Sequence, residues 1–424
     1  MTKIALISDL HLGFGKGTER EEDPFIATDR ALKEAVERNV DMIVLAGDIF
    51  DSRLPRPEHW SRFMKALSVL KNGDGGEVAH VEGRENVPEE TMEGIPVVAI
   101  HGTHERRGGG MKNSIEALED GGFLVHLHCS SVKININGER IAVHGMGGVP
   151  EKYSKETMEE WNPEPFEDAY NILALHQNLR EYIYNPNSPP ELGLEDLPGG
   201  FDLYVSGHIH WRNRDNVNGS PFVIPGSLIP TQLRRNDFEN PKGFYIAETS
   251  NDEIEFIELE PPRRFFYERI DFDGSGLTET RREIESRIED HVDREADRSP
   301  LITLKLTGKL AEGLRPSELD ISGIKESYEK GAILNISSDL RDQNAVGTTS
   351  NNSPEKNLSV DEMGMRIFRK NLEEAGSSIR PELIFEDLEK GNLDSVVESL
   401  GNEHNSEEVG TRGSEQNGNE WWKR

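Results

Sequence analysis

Short apolar runs recur along the first half of the chain, and each run stops at a polar residue. The runs cover residues 4–7, 42–46, 97–100, 172–175 and 203–205. Continuous apolar runs of this length predict strands that are buried on both faces. Between the early runs the pattern becomes helical: Asp23-Pro24 and Pro57 each predict the start of an amphipathic helix. This alternation of strands and helices predicts an α/β layered core over residues 1–260.

A second alternation of apolar patterns begins after Pro261-Pro262. It predicts strands at 265–270, 301–306 and 332–336 with helices between them, and therefore a small α/β domain over residues 262–340. Residues 342–357 are rich in Asn, Ser, Thr and Gly, which predicts a linker. Residues 358–400 predict short amphipathic helices. The acidic, glycine-rich stretch 401–424 predicts a disordered tail.

The charge of the chain is strongly acidic. It carries 79 Asp and Glu against 48 Lys and Arg, a formal net charge of −31. This balance predicts the solvated surface of a halophilic protein, because concentrated salt screens the self-repulsion. An ordinary acidic protein with an acidic tail is the alternative. The charge also argues against electrostatically driven nucleic-acid binding, so DNA binding would depend on metal ions and local arginines such as Arg106-Arg107.

The cysteine content and the hydropathy of the chain predict its cellular compartment. Cys129 is the single cysteine, so no internal disulfide can form, and a reducing cytoplasm is expected. The first residues run directly into a predicted strand, so we expect no signal peptide. No apolar run approaches the roughly 20 residues that span a bilayer, so we expect no membrane partner.

Polar residues that bind metals stand at the ends of the predicted strands. They are Asp9 and His11, Asp48, Thr103 and His104, His176, and His208 and His210. In an extended segment, residues i and i+2 point to the same side, so Asp9 and His11 can reach one ion together. A mixture of carboxylates and imidazoles suits Mn²⁺, Fe²⁺ or Zn²⁺ better than Mg²⁺ or Ca²⁺. Asp48 can bridge two cations, and two bridged cations predict phosphoester hydrolysis.

These motifs resemble the signature of the calcineurin-like metallophosphoesterases. The resemblance rests on Asp9-Leu10-His11, Gly47-Asp48, Gly102-Thr103-His104-Glu105, His176 and Gly207-His208-Ile209-His210. Within that superfamily the chain resembles the DNA double-strand-break repair nucleases, the meiotic-recombination-eleven family (SbcD in bacteria), over about residues 1–340. The resemblance implies an α/β fold: a two-layered β-sandwich flanked by helices, a small DNA-capping domain and a C-terminal helical segment. With the acidic composition, it points to a halophilic archaeon.

The resemblance also implies roles for individual residues. One metal ion would take Asp9, His11, Asp48 and His210, and the other Asp48, Thr103, His176 and His208. His104 would stabilise or protonate the leaving group. The family implies two Mn²⁺ ions per chain, a homodimer, DNA as substrate, and an ATPase partner of the structural-maintenance-of-chromosomes type that binds the C-terminal helices.

Two positions depart from the family pattern. Thr103 replaces an Asn whose carbonyl oxygen is the stronger ligand, so the second metal would bind less tightly or a water would substitute. Asp51 replaces a His that assists the phosphate transition state. Asp51 either contacts metal-bound water or has no catalytic role. Two alternative functions therefore remain open: hydrolysis of a non-DNA phosphoester, and a non-catalytic architectural subunit with a weakened metal site.

Overall fold

The apolar runs of the first half form the central strands of two large sheets. The structure is a computed structural model that describes residues 1–341 except 74–77, 84–86, 109, 184–189, 252 and 293–295. The predicted linker, C-terminal helical segment and tail therefore lie outside the described residues. The first sheet has the order β13 (Glu253–Glu258), β12 (Gly243–Glu248), β1 (Lys3–Ile7), β2 (Met42–Ala46), β4 (Val97–Ile100) and β5 (Val125–Leu127).

The second large sheet has seven strands. Its order is β10 (Asn213–Val217), β11 (Ser220–Ile224), β9 (Leu203–Gly207), β8 (Tyr170–His176), β7 (Glu139–Met146), β6 (Ser130–Ile136) and β3 (Val78–Glu82). Strands β1, β2, β4 and β5 run parallel to one another, and so do β7, β8, β9 and β11. The carboxyl ends of parallel strands in each sheet therefore lie at one edge.

The strands of the first sheet are apolar throughout because both faces are covered. Ile4 and Leu6 pack into the core between the two large sheets, whereas Ala5 and Ile7 pack on the opposite face with the helices. Both predicted helices form in the first half. The helices are α1 (Asp23–Glu37), α2 (Pro57–Leu67), α3 (Ser114–Asp120), α4 (Ser154–Trp161), α5 (Arg235–Glu239), α6 (Leu277–Glu289) and α7 (Ile321–Tyr328). The predicted α/β fold with two large sheets flanked by helices is confirmed.

A third sheet follows, with three parallel strands and a core of its own. Its order is β14 (Phe265–Ser275), β15 (Leu301–Leu310) and β16 (Ile333–Arg341). The predicted strand–helix alternation forms here, although each strand extends beyond its predicted apolar segment. All three sheets belong to one compact unit, so the boundary at about residue 261 stays a prediction. Among the described residues, no helix is both long and apolar enough to cross a membrane.

Candidate metal centre

The predicted ligands come together where the two large sheets present the ends of their parallel strands. Asp9 and Asp48 follow β1 and β2, which are neighbours, while His176 ends β8 and His208 follows β9. The ends of open parallel strands are the usual place for ligand sites in α/β folds. The periodicity of the sequence therefore places the whole set at one edge.

The backbone at this edge turns sharply. Four predicted ligands have left-handed backbone angles: Asp9 (φ 52°), His11 (φ 49°), Asp48 (φ 47°) and His208 (φ 78°). Residues other than glycine seldom adopt this region, and such strain concentrates at functional sites. Backbone hydrogen bonds hold two of these turns in place, from Asp9 N to Gly47 O (3.0 Å) and from His11 N to Asp48 O (3.0 Å).

Two glycines in the motifs leave room for the ligands. A Cβ on Gly102 would lie 2.0 Å from Asp48 Oδ1, and one on Gly47 would lie 2.4 Å from His176 Nδ1. Gly47 also has φ +89°, which a side chain would strain. The motif glycines are therefore required by the close approach of the loops that carry Asp48 and His176.

The ligand atoms form three groups, and within each group they lie within 4.8 Å of one another. The groups are Asp9, His11 and His210; Asp48, His176 and His208; and His11, Asp48 and His104. The first two groups correspond to the two predicted metal positions, and the third joins them. Nε2 of His11 lies 3.1 Å from Nε2 of His210, so both imidazoles point at one place.

Two buried nitrogen atoms in this cluster make no hydrogen bond. His208 Nδ1 has no hydrogen-bond partner among the described residues, and His176 Nε2 makes no hydrogen bond there but lies 3.2 Å from Asp48 Oδ2. Nδ1 of His176 lies 2.7 Å from Ala46 O, which keeps a proton on Nδ1, so Nε2 is the atom that can ligate once it loses its own proton. Buried nitrogens without partners are costly, so the donor set fits a metal ion. The metal role of each residue stays a prediction.

Burial and neighbouring charges shift the pKa values of the carboxylates and imidazoles in the cluster. Burial raises the pKa of Asp9. Burial would also raise the pKa of Asp48, but the neighbouring imidazoles outweigh it and lower that pKa. Burial alone would lower the pKa of His176, but the charges of Asp48 and Asp9 raise it to about 9. Burial lowers the pKa of His208 to about 4 and of His210 to about 2, so both imidazoles are neutral at pH 7, as metal binding requires.

His104 and Asp51 lie at the open side of the cluster. The side chain of His104 is 40% exposed, whereas that of His11 is 2% exposed. The His104 backbone N–H donates to Asp48 Oδ1 at 2.9 Å, which fixes the start of its loop. Asp51 Oδ1 lies 3.0 Å from Nδ1 of His11 and 3.5 Å from Nδ1 of His104. Asp51 is therefore placed to orient these two imidazoles.

Thr103 is directed at the shared carboxylate. Its hydroxyl donates to Asp48 Oδ2 at 3.4 Å, a long hydrogen bond. Three other histidines have partners outside the cluster. Nδ1 of His101 lies 3.0 Å from Nε2 of His126, and His144 lies between Ser131 (2.8 Å) and Asn171 (3.2 Å). His101, His126 and His144 therefore belong to the buried framework.

Two residues that support the predicted ligands could not be predicted from the apolar periodicity of the sequence. The buried carboxylate of Glu105 accepts from the backbone N–H of Phe50 (2.6 Å) and of Gly102 (2.7 Å), which ties two ligand loops together. Burial raises its pKa to about 7. Thr231 Oγ1 lies 2.7 Å from Nδ1 of His210. Glu105 stands inside a motif and could have been suspected, whereas nothing in the sequence distinguishes Thr231.

Comparisons with known proteins agree with this geometry. The chain is 29% identical over 280 residues to the DNA double-strand break repair protein Mre11 of Methanopyrus kandleri, covering 61% of this chain and 57% of that protein. It is 26% identical over 313 residues to the double-strand break repair protein MRE11 of Homo sapiens, covering 63% and 42% respectively. The chain thus spans about half the length of these relatives.

One solved structure is also similar, a dimetal phosphatase from Danio rerio with 11% identity and a TM-score of 0.36, covering 61% of this chain and 95% of that one. This likeness is too weak to support an argument. A family model described as calcineurin-like phosphoesterase matches residues 2–212, the segment that contains all the predicted metal ligands. Residues 2–212 of this chain therefore belong to the calcineurin-like phosphoesterase family.

Proposed function

We propose that this protein is a two-metal phosphodiesterase that cleaves DNA during double-strand-break repair, as an exonuclease or endonuclease. The observation that carries the proposal is the pair of ligand groups linked through His11 and Asp48, together with a buried His208 nitrogen that has no hydrogen-bond partner among the described residues. The printed names of the Methanopyrus and human relatives support DNA as the substrate. Each metal group uses one carboxylate and two imidazoles, a mixture that suits Mn²⁺, Fe²⁺ or Zn²⁺, and the family resemblance supports Mn²⁺ among them.

Asp9, His11, Asp48 and His210 would hold one ion, and Asp48, Thr103, His176 and His208 the other. Two divalent ions held there would supply Lewis-acid activation of water and of the phosphate. His104, the exposed imidazole of the group, would donate a proton to the leaving oxygen. Asp51 would keep His11 and His104 oriented through their Nδ1 atoms.

The wider assembly belongs to the same proposal. The family resemblance supports a cytoplasmic homodimer that works with an ATPase of the structural-maintenance-of-chromosomes type. Residues 262–340 would cap the DNA, and residues 358–400 would bind the ATPase. The acidic composition supports a halophilic source, so the natural assay medium is concentrated salt.

The proposal is tested by cleavage of linear DNA with Mn²⁺ in 2 M KCl. We expect the His104→Ala variant to lose about 10²–10⁴-fold in kcat, the usual contribution of a general acid, while its melting temperature stays close to that of the unmodified protein. His291→Ala is the matched control, because His291 pairs with Glu268 away from the metal centre. Undiminished cleavage by His104→Ala would contradict the proposed role.

Two other results would redirect the proposal. Hydrolysis of small phosphodiesters with no cleavage of DNA would indicate a non-DNA phosphoester as substrate. Fewer than one metal ion per chain by elemental analysis, with no hydrolysis of either substrate, would indicate an architectural subunit. The long contact of Thr103 with Asp48 is the feature that favours weak binding of the second ion.

A further inference from the structure

Two arginines on the loops of the metal centre have no acidic partner among the described residues. Arg106 is half-buried and follows His104 by two residues, and Arg53 is exposed and follows Asp51 by two. Among the described residues, no ion pair or hydrogen bond engages either guanidinium. Acidic residues are in excess in this chain, with 79 Asp and Glu against 48 Lys and Arg.

The two loops that carry these arginines are joined at the metal centre. Phe50 N donates to Glu105 at 2.6 Å, and Asp51 lies 3.5 Å from His104. Burial lowers the pKa of Arg106, and the positive charge of Arg53 lowers it further, which agrees with two like charges in proximity. Two adjacent cations without a carboxylate favour a bound anion.

The neighbouring arginines are already engaged, which separates them from this pair. Arg107 donates to the carbonyl of Lys112 at 3.3 Å, within its own loop. Arg56 pairs with Glu21 at 3.5 Å. Of the two basic residues in the Arg106-Arg107 motif, Arg106 is therefore the one available to a substrate.

Apolar side chains flank the same two loops. The exposed large hydrophobic residues of the described structure are Met1, Leu54, Met111, Phe166 and Phe238. Leu54 (70% exposed) adjoins Arg53, and Met111 (56% exposed) ends the loop that begins at His104. Cationic groups bordered by apolar ones suit a strand of nucleic acid, which presents phosphates joined by sugars.

We propose that Arg53 and Arg106 bind the backbone phosphate next to the scissile one, and so select polynucleotides over small phosphodiesters. This inference rests on the proposed phosphodiesterase function and names the substrate contact of that site. A net charge of −31 repels DNA as a whole, so a local pair of cations is needed to bring the strand to the metal ions.

The test compares Arg53→Ala and Arg106→Ala with the matched controls Arg56→Ala and Arg107→Ala, all in the full chain. Each variant removes one positive charge near the metal centre. We expect kcat/KM on a single-stranded thymidine 20-mer to fall about tenfold for Arg53→Ala and Arg106→Ala. It should change less than twofold for the controls. Bis(p-nitrophenyl) phosphate has no neighbouring phosphate, so kcat/KM for its hydrolysis should fall much less than kcat/KM for the 20-mer.

A second measurement does not depend on hydrolysis. Binding of the labelled 20-mer is followed by fluorescence anisotropy from 0.1 to 1 M KCl without metal. Loss of one phosphate contact should reduce the slope of log K against log salt by about 0.7 for Arg106→Ala and leave the Arg107→Ala slope unchanged. Equal slopes for these two variants, or equal losses on both substrates, would overturn the inference. Absence of hydrolysis in the unmodified protein would instead count against the proposed function.

Discussion

At the scale of single residues, the contacts of Asp51 suggest why this chain can have an aspartate where the family pattern has a histidine. The sequence left two possibilities for this carboxylate, contact with a metal-bound water or no catalytic role. Its contacts with Nδ1 of His11 (3.0 Å) and of His104 (3.5 Å) indicate a third role, the orientation of a ligand and of the proposed acid. A carboxylate behind a metal-binding imidazole fixes its tautomer and raises its basicity.

Replacement of Asp51 by Asn should therefore weaken metal binding. The amide keeps an acceptor oxygen but loses the negative charge that supports His11, so we expect Mn²⁺ affinity and kcat to fall about 10–100-fold. Calorimetric titration with Mn²⁺ and steady-state kinetics measure the two quantities. Ser52→Ala, one position along the same loop, is the control. If Asp51→Asn binds Mn²⁺ as tightly as the control, Asp51 does not position the ligand.

His176 provides a second prediction at this scale. Its pKa of about 9 in the metal-free protein means that it is protonated at pH 7, because the pH lies below the pKa. An imidazole must be neutral to bind a metal ion, so binding at Nε2 displaces this proton. We expect His176 to release about one proton per chain at pH 7 and progressively less as the pH rises through 9.

Calorimetry of Mn²⁺ binding in buffers with different ionisation enthalpies measures this release. His208 and His210 add little, since burial already lowers their pKa values to about 4 and about 2. Burial would lower the pKa of His11, but its hydrogen bond with Asp51 and the nearby carboxylates outweigh burial and raise that pKa, so His11 adds to the release. His176→Gln should therefore lower the release by about one proton. A release of zero at pH 7 in the unmodified protein would show that His176 is not protonated before the metal binds.

At the scale of elements, one loop connects the small sheet to the metal centre. Thr231 contacts Nδ1 of His210, and two residues later the carbonyl of Leu233 accepts from Thr303 on β15 (2.9 Å) and from Asn335 on β16 (3.3 Å). Leu233 has φ 52°, a conformation that a leucine adopts only when its surroundings impose it. The small sheet therefore fixes the loop that orients a predicted metal ligand.

Removal of the Thr303 hydroxyl should loosen that loop. Thr303→Val is nearly isosteric and deletes one hydrogen bond, worth about 0.5–1.5 kcal/mol. We expect Mn²⁺ affinity to fall about two- to tenfold at the site that contains His210. Thr307→Val is the matched control, since Thr307 bonds Asp271 within the small sheet. If both variants lower Mn²⁺ affinity equally, the effect comes from general destabilisation.

The ends of the strands could be predicted from the sequence, whereas the contacts between loops could not. Strand ends at Asp9, Asp48 and His176 were predictable because apolar runs mark buried strands, and buried parallel strands end at one edge. The contacts of Thr231 and Glu105 were not, because they join segments that are distant in sequence and depend on left-handed turns. The extra length of β14 was missed because it ends in Asp273-Gly274-Ser275, residues typical of a turn, where the pairing with β15 is irregular.

At the scale of the whole molecule, charge and ion pairing have opposite responses to salt. Exposed pairs such as Arg281–Glu285 and Arg235–Glu239 lie at i,i+4 positions and contribute little to stability even in dilute buffer. Salt weakens them. The chain has a net charge of −31, so its negative side chains repel one another over distances up to about a Debye length. Salt shortens that length and so weakens the repulsion. The buried pair of Asp23 with Arg263, each 3% exposed, is little affected.

We expect the excess charge to dominate, so the melting temperature should rise between 0.1 and 1 M KCl. The Debye length shrinks from about 10 Å to about 3 Å over this range. Each 1 kcal/mol gained raises Tm by roughly 2–4 °C in a domain of 150–250 residues, so a rise of several degrees is expected.

Thermal unfolding followed by circular dichroism at graded KCl concentrations tests this expectation, with sucrose as the uncharged control. Screening should give a steep rise that levels off near 1 M, because little repulsion remains once the Debye length is shorter than the spacing of surface charges. Preferential exclusion of a cosolute stabilises the fold without levelling off in this way, as sucrose should show. A melting temperature that falls between 0.1 and 1 M KCl would mean that ion pairs, and not the net charge, control the stability of this acidic chain.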